Sequence, residues 1–315
     1  MSIFMKSLLH SDEKYVIVEV EGGLGNTIFQ YAAGKYLANR TGAKVLINLK
    51  HIGNAKTNHG FYLSSIFPDI RFKRDHFLKR LFLFNRLLEN SDRLFSRIAR
   101  KNRQFNRFCA KCFKIYRSQK IGYDANLETL KVPITIRGYY QSWKYAQTLI
   151  GQDEFVPKLT NPSIWYREMS ENARMAQPTI IHVRRGDYQA FEDIYGLLSS
   201  LFYLNALKIL PKELQSNQIW VFSDDINIAK QLLQKNLPAS TIWIDPPRDS
   251  NPAESLMLMT LGHAQIIANS SFSYWAAQFS LTSQFVIAPR KWFKAVEDPQ
   301  ELMNPLWHLV DSDWE

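Results

Sequence analysis

Cysteine is scarce: Cys109 and Cys112 are the two in a chain of 315 residues. Two thiols cannot build a disulfide framework, so a reducing compartment is expected. Cys109-Ala-Lys-Cys112 has the spacing of half a zinc site, but no second pair follows, and a structural site wants four ligands. A reduced bystander pair is the simpler reading, and no metal is expected. Apolar runs are short. None reaches the roughly 18 residues that a spanning helix needs. Met1 to Lys14 holds only Ser7-Leu8-Leu9 between Lys6 and Asp12-Glu13, too short and too polar for a signal peptide. A cytoplasmic location is therefore expected. Glycine and proline are thin as well, thirteen each and without period, which excludes a fibrous or low-complexity chain.

Acidic residues are nearly missing from one segment. Residues 71–120 hold sixteen Lys and Arg against Asp75, Glu89 and Asp92, whereas the remaining 23 basic and 26 acidic residues nearly cancel. The net charge of +10 thus comes from one stretch. Leu78, Leu81, Phe82, Phe84, Leu87 and Leu88, then Leu94, Phe95 and Ile98, recur near helical spacing, which predicts a basic helical insert over 71–120. Peripheral contact with an anionic membrane at its inner face is the preferred functional reading. A solvated helical face whose Lys and Arg stems cover apolar neighbours is the plain alternative. No nucleic-acid motif accompanies the segment, and no nucleic-acid partner is expected.

The rest has the means to fold: 46% hydrophobic and 13% aromatic residues, over a length that suits about two domains. Tyr15–Val20 predicts a strand, followed by Glu21-Gly-Gly-Leu-Gly25 and a helix from near Asn26 to Gly42. Ile28, Phe29, Ala32, Ala33, Tyr36 and Leu37 form its apolar stripe. Ala43–Leu49 and Pro133–Arg137 predict further strands. The second half alternates strands at Thr179–Val183, Gln218–Phe222, Thr241–Ile244, Ala264–Ala268 and Phe285–Ala288 with helices at Phe202–Ile209, Ile226–Gln234, Ala253–Gly262 and Phe272–Phe279. Short apolar strands between helices predict parallel sheets covered on both faces. The expected fold is α/β, with an N-terminal domain over 1–155 and a C-terminal domain over 156–315. The polar stretch 151–177 lies between them. Two such domains face each other across a cleft at the carboxyl ends of their strands, where ligands bind.

Three strand-to-helix junctions carry candidate chemistry. Ile181-His-Val-Arg-Arg-Gly-Asp187 places His182 and Arg184 on one face of the strand and Arg185 on the other. Paired arginines at the end of a buried strand call for an anion, and guanidinium forks suit phosphate. Asp187 can pair with an arginine; an Arg–Asp pair that merely closes a loop is the structural alternative. Phe222-Ser-Asp-Asp225 offers carboxylates for ribose hydroxyls or a base edge, with helix capping as the plain alternative. Asn269-Ser-Ser-Phe-Ser273 offers hydroxyls and free N–H groups, a phosphate cradle or again a cap. In the first half, Gly22-Gly-Leu-Gly25 permits close backbone approach to an anion, but Ile28 stands where a dinucleotide fingerprint has its third glycine. Arginines, carboxylates and hydroxyls at neighbouring junctions fit a nucleoside diphosphate sugar. Asp311-Ser-Asp313 has the form of a metal-binding pair, but it is a weak candidate.

These motifs, with Phe29-Gln-Tyr-Ala32, Gly138-Tyr-Tyr-Gln-Ser142, Trp275 and Lys291-Trp-Phe293, resemble those of the α-1,2-fucosyltransferases of glycosyltransferase family 11, in order from residue 22 to 293. The resemblance implies a GT-B type fold, GDP-fucose as donor, no metal or other cofactor, and inversion at the fucose anomeric carbon. It implies a galactose-terminated oligosaccharide or lipid-linked acceptor. Arg184 maps to the donor-phosphate arginine and, with Asp187 as its organiser, makes the candidate catalytic pair. Gly25, Asn26, His182, Arg185, Asp224, Asp225, Asn269, Ser270 and Ser271 fall on the donor side, and Tyr140 and Gln141 on the acceptor side. Thr27-Ile28, Ile228 and Tyr274 depart from the family pattern.

Overall fold

The structure, a computed structural model, describes residues 14–49, 59–73, 111, 114–215 and 217–315. The apolar runs become strands of two parallel sheets. The first holds β1 (Tyr15–Glu19), β2 (Lys44–Asn48), β3 (Ile115–Arg117) and β4 (Ile134–Arg137), in the order β2-β1-β4-β3. The second holds β5 (Thr179–Val183), β6 (Ile219–Ser223), β7 (Ile242–Ile244), β8 (Ala264–Ile266), β9 (Phe285–Pro289) and β10 (His308–Val310), in the order β10-β9-β8-β5-β6-β7. Every residue of β5 and β8 is buried, including the polar Thr179, His182 and Gln265, so these strands show no alternation of apolar and polar positions.

Both orders contain a switch point. In the second sheet the chain runs outward from β5 through β6 to β7, then returns to β8 and runs the other way. In the first, β1 lies between β2 and β4. The loops after β1 and β4, and those after β5 and β8, therefore diverge and leave crevices at the strand ends.

Helix α1 (Leu24–Thr41) follows β1, and α2 (His59–Ile66) and α3 (Trp143–Gln147) flank it. The expected single apolar stripe of α1 understates its burial: thirteen of its eighteen residues are buried. A helix buried nearly all round sits between layers. Its second partner is α8 (Ser271–Phe279), which follows β8. Helices α4 (Ile164–Ala176), α5 (Ser200–Lys208), α6 (Ile226–Leu233) and α7 (Pro252–Met259) lie between α3 and α8 in the chain.

The two halves share one core. Val16 and Val18 of β1, Ile28 and Phe29 of α1, Tyr274 and Trp275 of α8 and Trp292 belong to a single buried cluster. The Phe29 ring lies 4.7 Å from that of Tyr274 and 4.8 Å from that of Trp275. The far face of the second sheet has its own core, with Ile181, Val183, Phe202 and Val221.

Several expectations are corrected. The segment 71–120 is not helical throughout: Phe72 bridges to Ile47 beside β2, and Ile115–Arg117 is the edge strand β3. A three-residue edge strand among basic residues carries almost no alternation to detect. The predicted helix through Leu78–Ile98 and both cysteines lie outside the described residues. The polar stretch 151–177 contains α4, capped by Ser163, whose Oγ accepts from the Tyr166 N–H at 3.1 Å. Among the described residues, no helix is long and apolar enough to cross a membrane.

The halves meet backbone to backbone at Gly25. A Cβ placed there would stand 2.3 Å from the backbone carbon of Ser271. Backbone cannot swing aside as a side-chain tip can. Gly25→Ala is expected to lower stability by about 1–3 kcal/mol, measured by urea unfolding.

Candidate active site

A cavity of about 600 Å³ lies at the strand ends of both sheets, within the usual range of small-molecule sites. Its N-terminal wall comes from the turn Gly23–Asn26 after β1, from Ile121, and from Tyr139 and Gln141 after β4. Its C-terminal wall comes from His182, Arg184, Asp187 and Tyr188 after β5, from Ser223 and Asp224 after β6, and from Ser270–Phe272 after β8. Ile244, Pro246, Ser250, Pro252 and Ser255 extend it into an arm beyond β7.

Arg184 is the centre of charge. The register of β5 on β6 pairs Val183 with Ser223, so Arg184 and Asp224 leave the sheet side by side. Arg184 Nη1 lies 3.0 Å from Asp224 Oδ2, and Nη2 pairs with Asp187 Oδ1. The guanidinium carbon sits 5.1 Å above the centre of the Tyr188 ring, a cation–π contact. Its Nε is buried without a hydrogen-bond partner. Asp224 is itself fixed, because its Oδ1 accepts from the Arg185 N–H at 2.8 Å. A Cβ at Gly186 would stand 2.4 Å from Asp224 Oδ2, so the glycine keeps room for that carboxylate. Asp187 is 68% exposed, which makes its pair with Arg184 the easier of the two to exchange for a ligand anion.

His182 lies behind Arg184, 3% exposed, with Nδ1 buried and without a partner. Burial, and then the Arg184 charge, push its pKa down from 6.5 to about 3. It is a neutral imidazole at neutral pH, able to donate or accept one hydrogen bond without adding charge.

Two helix N-termini open on the cavity. Ser270 caps α8, its Oγ accepting from the Phe272 N–H at 3.4 Å. At the start of α1, Gly23 offers no side-chain cap. Both ends present N–H groups and partial positive charge, the arrangement that binds phosphate.

Four of the expected site residues do not line the cavity. Arg185 is 2% exposed, its Nη1 on Glu315 Oε2 and its Nη2 donating to Leu198 O, both at 2.7 Å. It holds Glu315 against the loop before α5. Asn269 is 1% exposed, and its Nδ2 donates to the carbonyls of Tyr195, Gly196 and Trp292. Asp225 caps α6 by accepting from the Ile228 N–H at 3.1 Å. Tyr140 is entirely buried, its hydroxyl donating to Arg137 O. Its φ of 52° breaks the strand alternation, so Tyr139, 40% exposed, takes the place in the cavity wall. Gly25 does line the cavity, but its tight backbone approach is to Ser271.

The cavity also uses residues that sequence reasoning missed: Ile121, Tyr139, Tyr195, Ile244 and Pro246. Tyr139 lies inside the Gly138–Ser142 motif and Ile244 ends a predicted strand, but nothing in the local pattern marks which of these side chains faces a cavity. The departures Thr27, Ile28 and Tyr274 are fully buried in the core. Asp311 pairs with Arg290 at 2.7 Å, and Asp313 accepts from Asn205. Among the described residues, no group of three or more His, Cys, Asp or Glu is placed to hold a metal ion.

Two parallel α/β domains joined along α1 and α8, with a cavity between their strand ends, make the GT-B architecture. The chain belongs to glycosyl transferase family 11, whose profile matches residues 15–309. It is 25% identical to an alpha-1,2-colitosyltransferase from Escherichia coli, over 90% of this chain and 93% of that protein. It is 27% identical to the O-antigen biosynthesis glycosyltransferase WbnK from Escherichia coli, over 87% of this chain and 93% of that protein. In fold it is similar to the fucosyltransferase NodZ from Bradyrhizobium, with a TM-score of 0.51 at 13% identity, covering 88% of this chain and 94% of that one. It is also similar to the Escherichia coli ADP-heptose LPS heptosyltransferase II, with a TM-score of 0.50 at 11% identity, covering 94% and 90%.

His182 makes a pH prediction. Its folded pKa is depressed, so below about 6.5 the unfolded chain binds a proton that the folded chain refuses. Its contribution to stability is complete above that pH and falls away as pH drops towards 3. In urea unfolding, His182→Gln should flatten the stability slope between pH 6.5 and 4.5 by up to about 1.4 kcal/mol per pH unit.

Proposed function

We propose that this glycosyltransferase moves L-fucose from GDP-β-L-fucose to the 2-hydroxyl of a β-galactoside, with inversion to the α-1,2 linkage. The observation that carries this reading is Arg184. It stands at the switch point of the second sheet, with an unpartnered Nε, in a cavity onto which two helix N-termini open. That arrangement suits a diphosphate. The base and ribose then extend into the arm past Ser223, Ile244 and Pro246, and the sugar points to the N-terminal wall.

In the reaction, the acceptor oxygen forms a bond to C1 of fucose as the bond from C1 to the β-phosphate oxygen breaks. The electron pair leaves with the phosphate, and the transition state resembles an oxocarbenium ion. Arg184 and the N–H groups at the start of α8 stabilise the charge that builds on the diphosphate. Charge neutralisation from these groups needs no metal. Asp187, which organises Arg184 before the donor binds, releases it to the phosphate while Asp224 keeps it aimed; the hydroxyl proton passes late to water, since a weak base suffices.

The family membership, and the similarity to an O-antigen glycosyltransferase, support a place in surface polysaccharide synthesis at the cytoplasmic side. The acceptor is then a lipid-linked intermediate or a free oligosaccharide, and the basic segment 71–120 rests on anionic lipid. A second donor has a specific observation behind it. The relative named as an alpha-1,2-colitosyltransferase raises GDP-colitose, whose sugar is L-fucose without its 3-hydroxyl.

The test is GDP release from GDP-fucose in the presence of EDTA, with and without lactose, beside the same assay with GDP-colitose. Lactose-stimulated release from GDP-fucose, with an α-1,2 product by NMR, is the expected result. Release from GDP-colitose alone would replace the donor, and loss of activity in EDTA would overturn metal independence. Arg184→Ala should cost about 3 kcal/mol in the transition state, roughly a hundredfold in turnover. Near-normal turnover in that variant would remove Arg184 from the mechanism.

A further inference from the structure

Arg185 carries a buried charge that the cavity does not use. A guanidinium stays ionised at any ordinary pH, so its burial calls for an anion. Among the described residues, Glu315 is the carboxylate that the Arg185 side chain reaches, Nη1 to Oε2 at 2.7 Å. Nη2 is spent on Leu198 O, and Nε is buried without a hydrogen-bond partner. A second carboxylate is close by, because the Arg185 N–H donates to Asp224 Oδ1. Tyr203, buried on α5, feels all three charges: burial raises its pKa, Arg185 lowers it, and Glu315 and Asp224 raise it.

Glu315 is fixed by its backbone although its side chain is 40% exposed. Its N–H donates to Leu197 O at 2.9 Å, Leu198 bridges to Trp314, and the Ser199 N–H donates to Asp313 O at 2.7 Å. The Lys294 ammonium donates to Glu315 O at 3.1 Å. Residues 313–315 thus lie laced along the loop 197–199, with the carboxylate delivered to Arg185 from the side away from Arg184.

We propose that Glu315 is a positioning residue for Arg184: by neutralising Arg185 it leaves the Asp224 carboxylate to Arg184. Without the Glu315 charge, Arg185 is a buried cation with no counter-ion, and Asp224 is the described carboxylate beside it. An unpaired buried charge costs more than the partly buried Arg184–Asp224 pair gains, so Asp224 turns to Arg185. Arg184 then keeps only Asp187, the partner that a diphosphate displaces. Net charge alone predicts the opposite sign, since deleting a carboxylate makes the neighbourhood more attractive to an anion. The assignment rests on the diphosphate reading above and adds the residue that keeps its arginine aimed.

The test is calorimetric titration of the full chain with GDP, beside urea unfolding of the same variants to separate affinity from stability. Glu315→Gln should weaken GDP binding about tenfold. Removing the competing cation as well, in Arg185→Met/Glu315→Gln, should bring affinity back to within about threefold of wild type. In an Asp224→Asn background no carboxylate is left to draw away, so adding Glu315→Gln should change affinity less than about twofold. Unchanged or tighter GDP binding in Glu315→Gln, whatever its loss of stability, would overturn the assignment, and so would full additivity with Asp224→Asn. If Glu315→Gln is too unstable to titrate, the double variant with Arg185→Met decides: recovered affinity supports the assignment, and binding still about tenfold weak overturns it. If wild type itself does not bind GDP, the diphosphate reading fails and this assignment with it, a result seen without any variant.

Discussion

The arrangement of the molecule depends on one contact, the abutment of α1 and α8 at their N-terminal ends. Each helix starts at the switch point of its own sheet, so bringing the two starts together brings the two crevices together as well. Gly25 permits it, because any side chain there would enter the Ser271 backbone. Phe29, Tyr274 and Trp275 continue the contact as packed aromatic surface. The cleft is therefore the unfilled end of a shared core, and its width follows from helix packing more than from any linker.

The same contact has an electrostatic consequence. Two helix starts that meet would repel through their like partial charges unless something negative lies between or beside them. The described side chains at this point supply Asp187 and Asp224, and both are engaged with Arg184. On the proposed reading, an incoming diphosphate exchanges the exposed one of those carboxylates for its own oxygens. Asp224, tied to the Arg185 backbone, stays and keeps the guanidinium aimed.

Residues around the ligand space divide by what they hold. Arg185, Asp225 and Asn269 sit within one or two positions of cavity-lining residues, yet each is engaged by the protein itself. They stiffen the three junctions from which Arg184, Asp224 and Ser271 project. Asn269 shows it most clearly. Its side chain gathers the carbonyls of Tyr195, Gly196 and Trp292 while its own carbonyl accepts from the Tyr188 hydroxyl, so the loops after β5 and β8 cannot move separately.

Much of this was legible in the amino-acid order. Buried parallel strands such as β5 and β6 are continuous apolar runs, and the helices after them are marked by caps such as Asp225 and Ser270, because burial and capping are local demands. The alternation of β5 placed Arg184 and Arg185 on opposite faces, as found. The edge strands β3 and β10 were not legible, since three residues are too few to leave a pattern. Which polar residue meets the ligand was also beyond sequence. Tyr139 rather than Tyr140 faces the cavity because one residue adopts a left-handed φ, and Arg185 turns inward because Glu315, 130 positions away, completes its charge pair. Sequence by itself determined the parallel α/β layers and the motifs at their strand ends, through periodicity and chemistry that act over a few residues. Only the tertiary structure decided which of those groups share one cavity, because that depends on two helix ends brought together from distant parts of the chain.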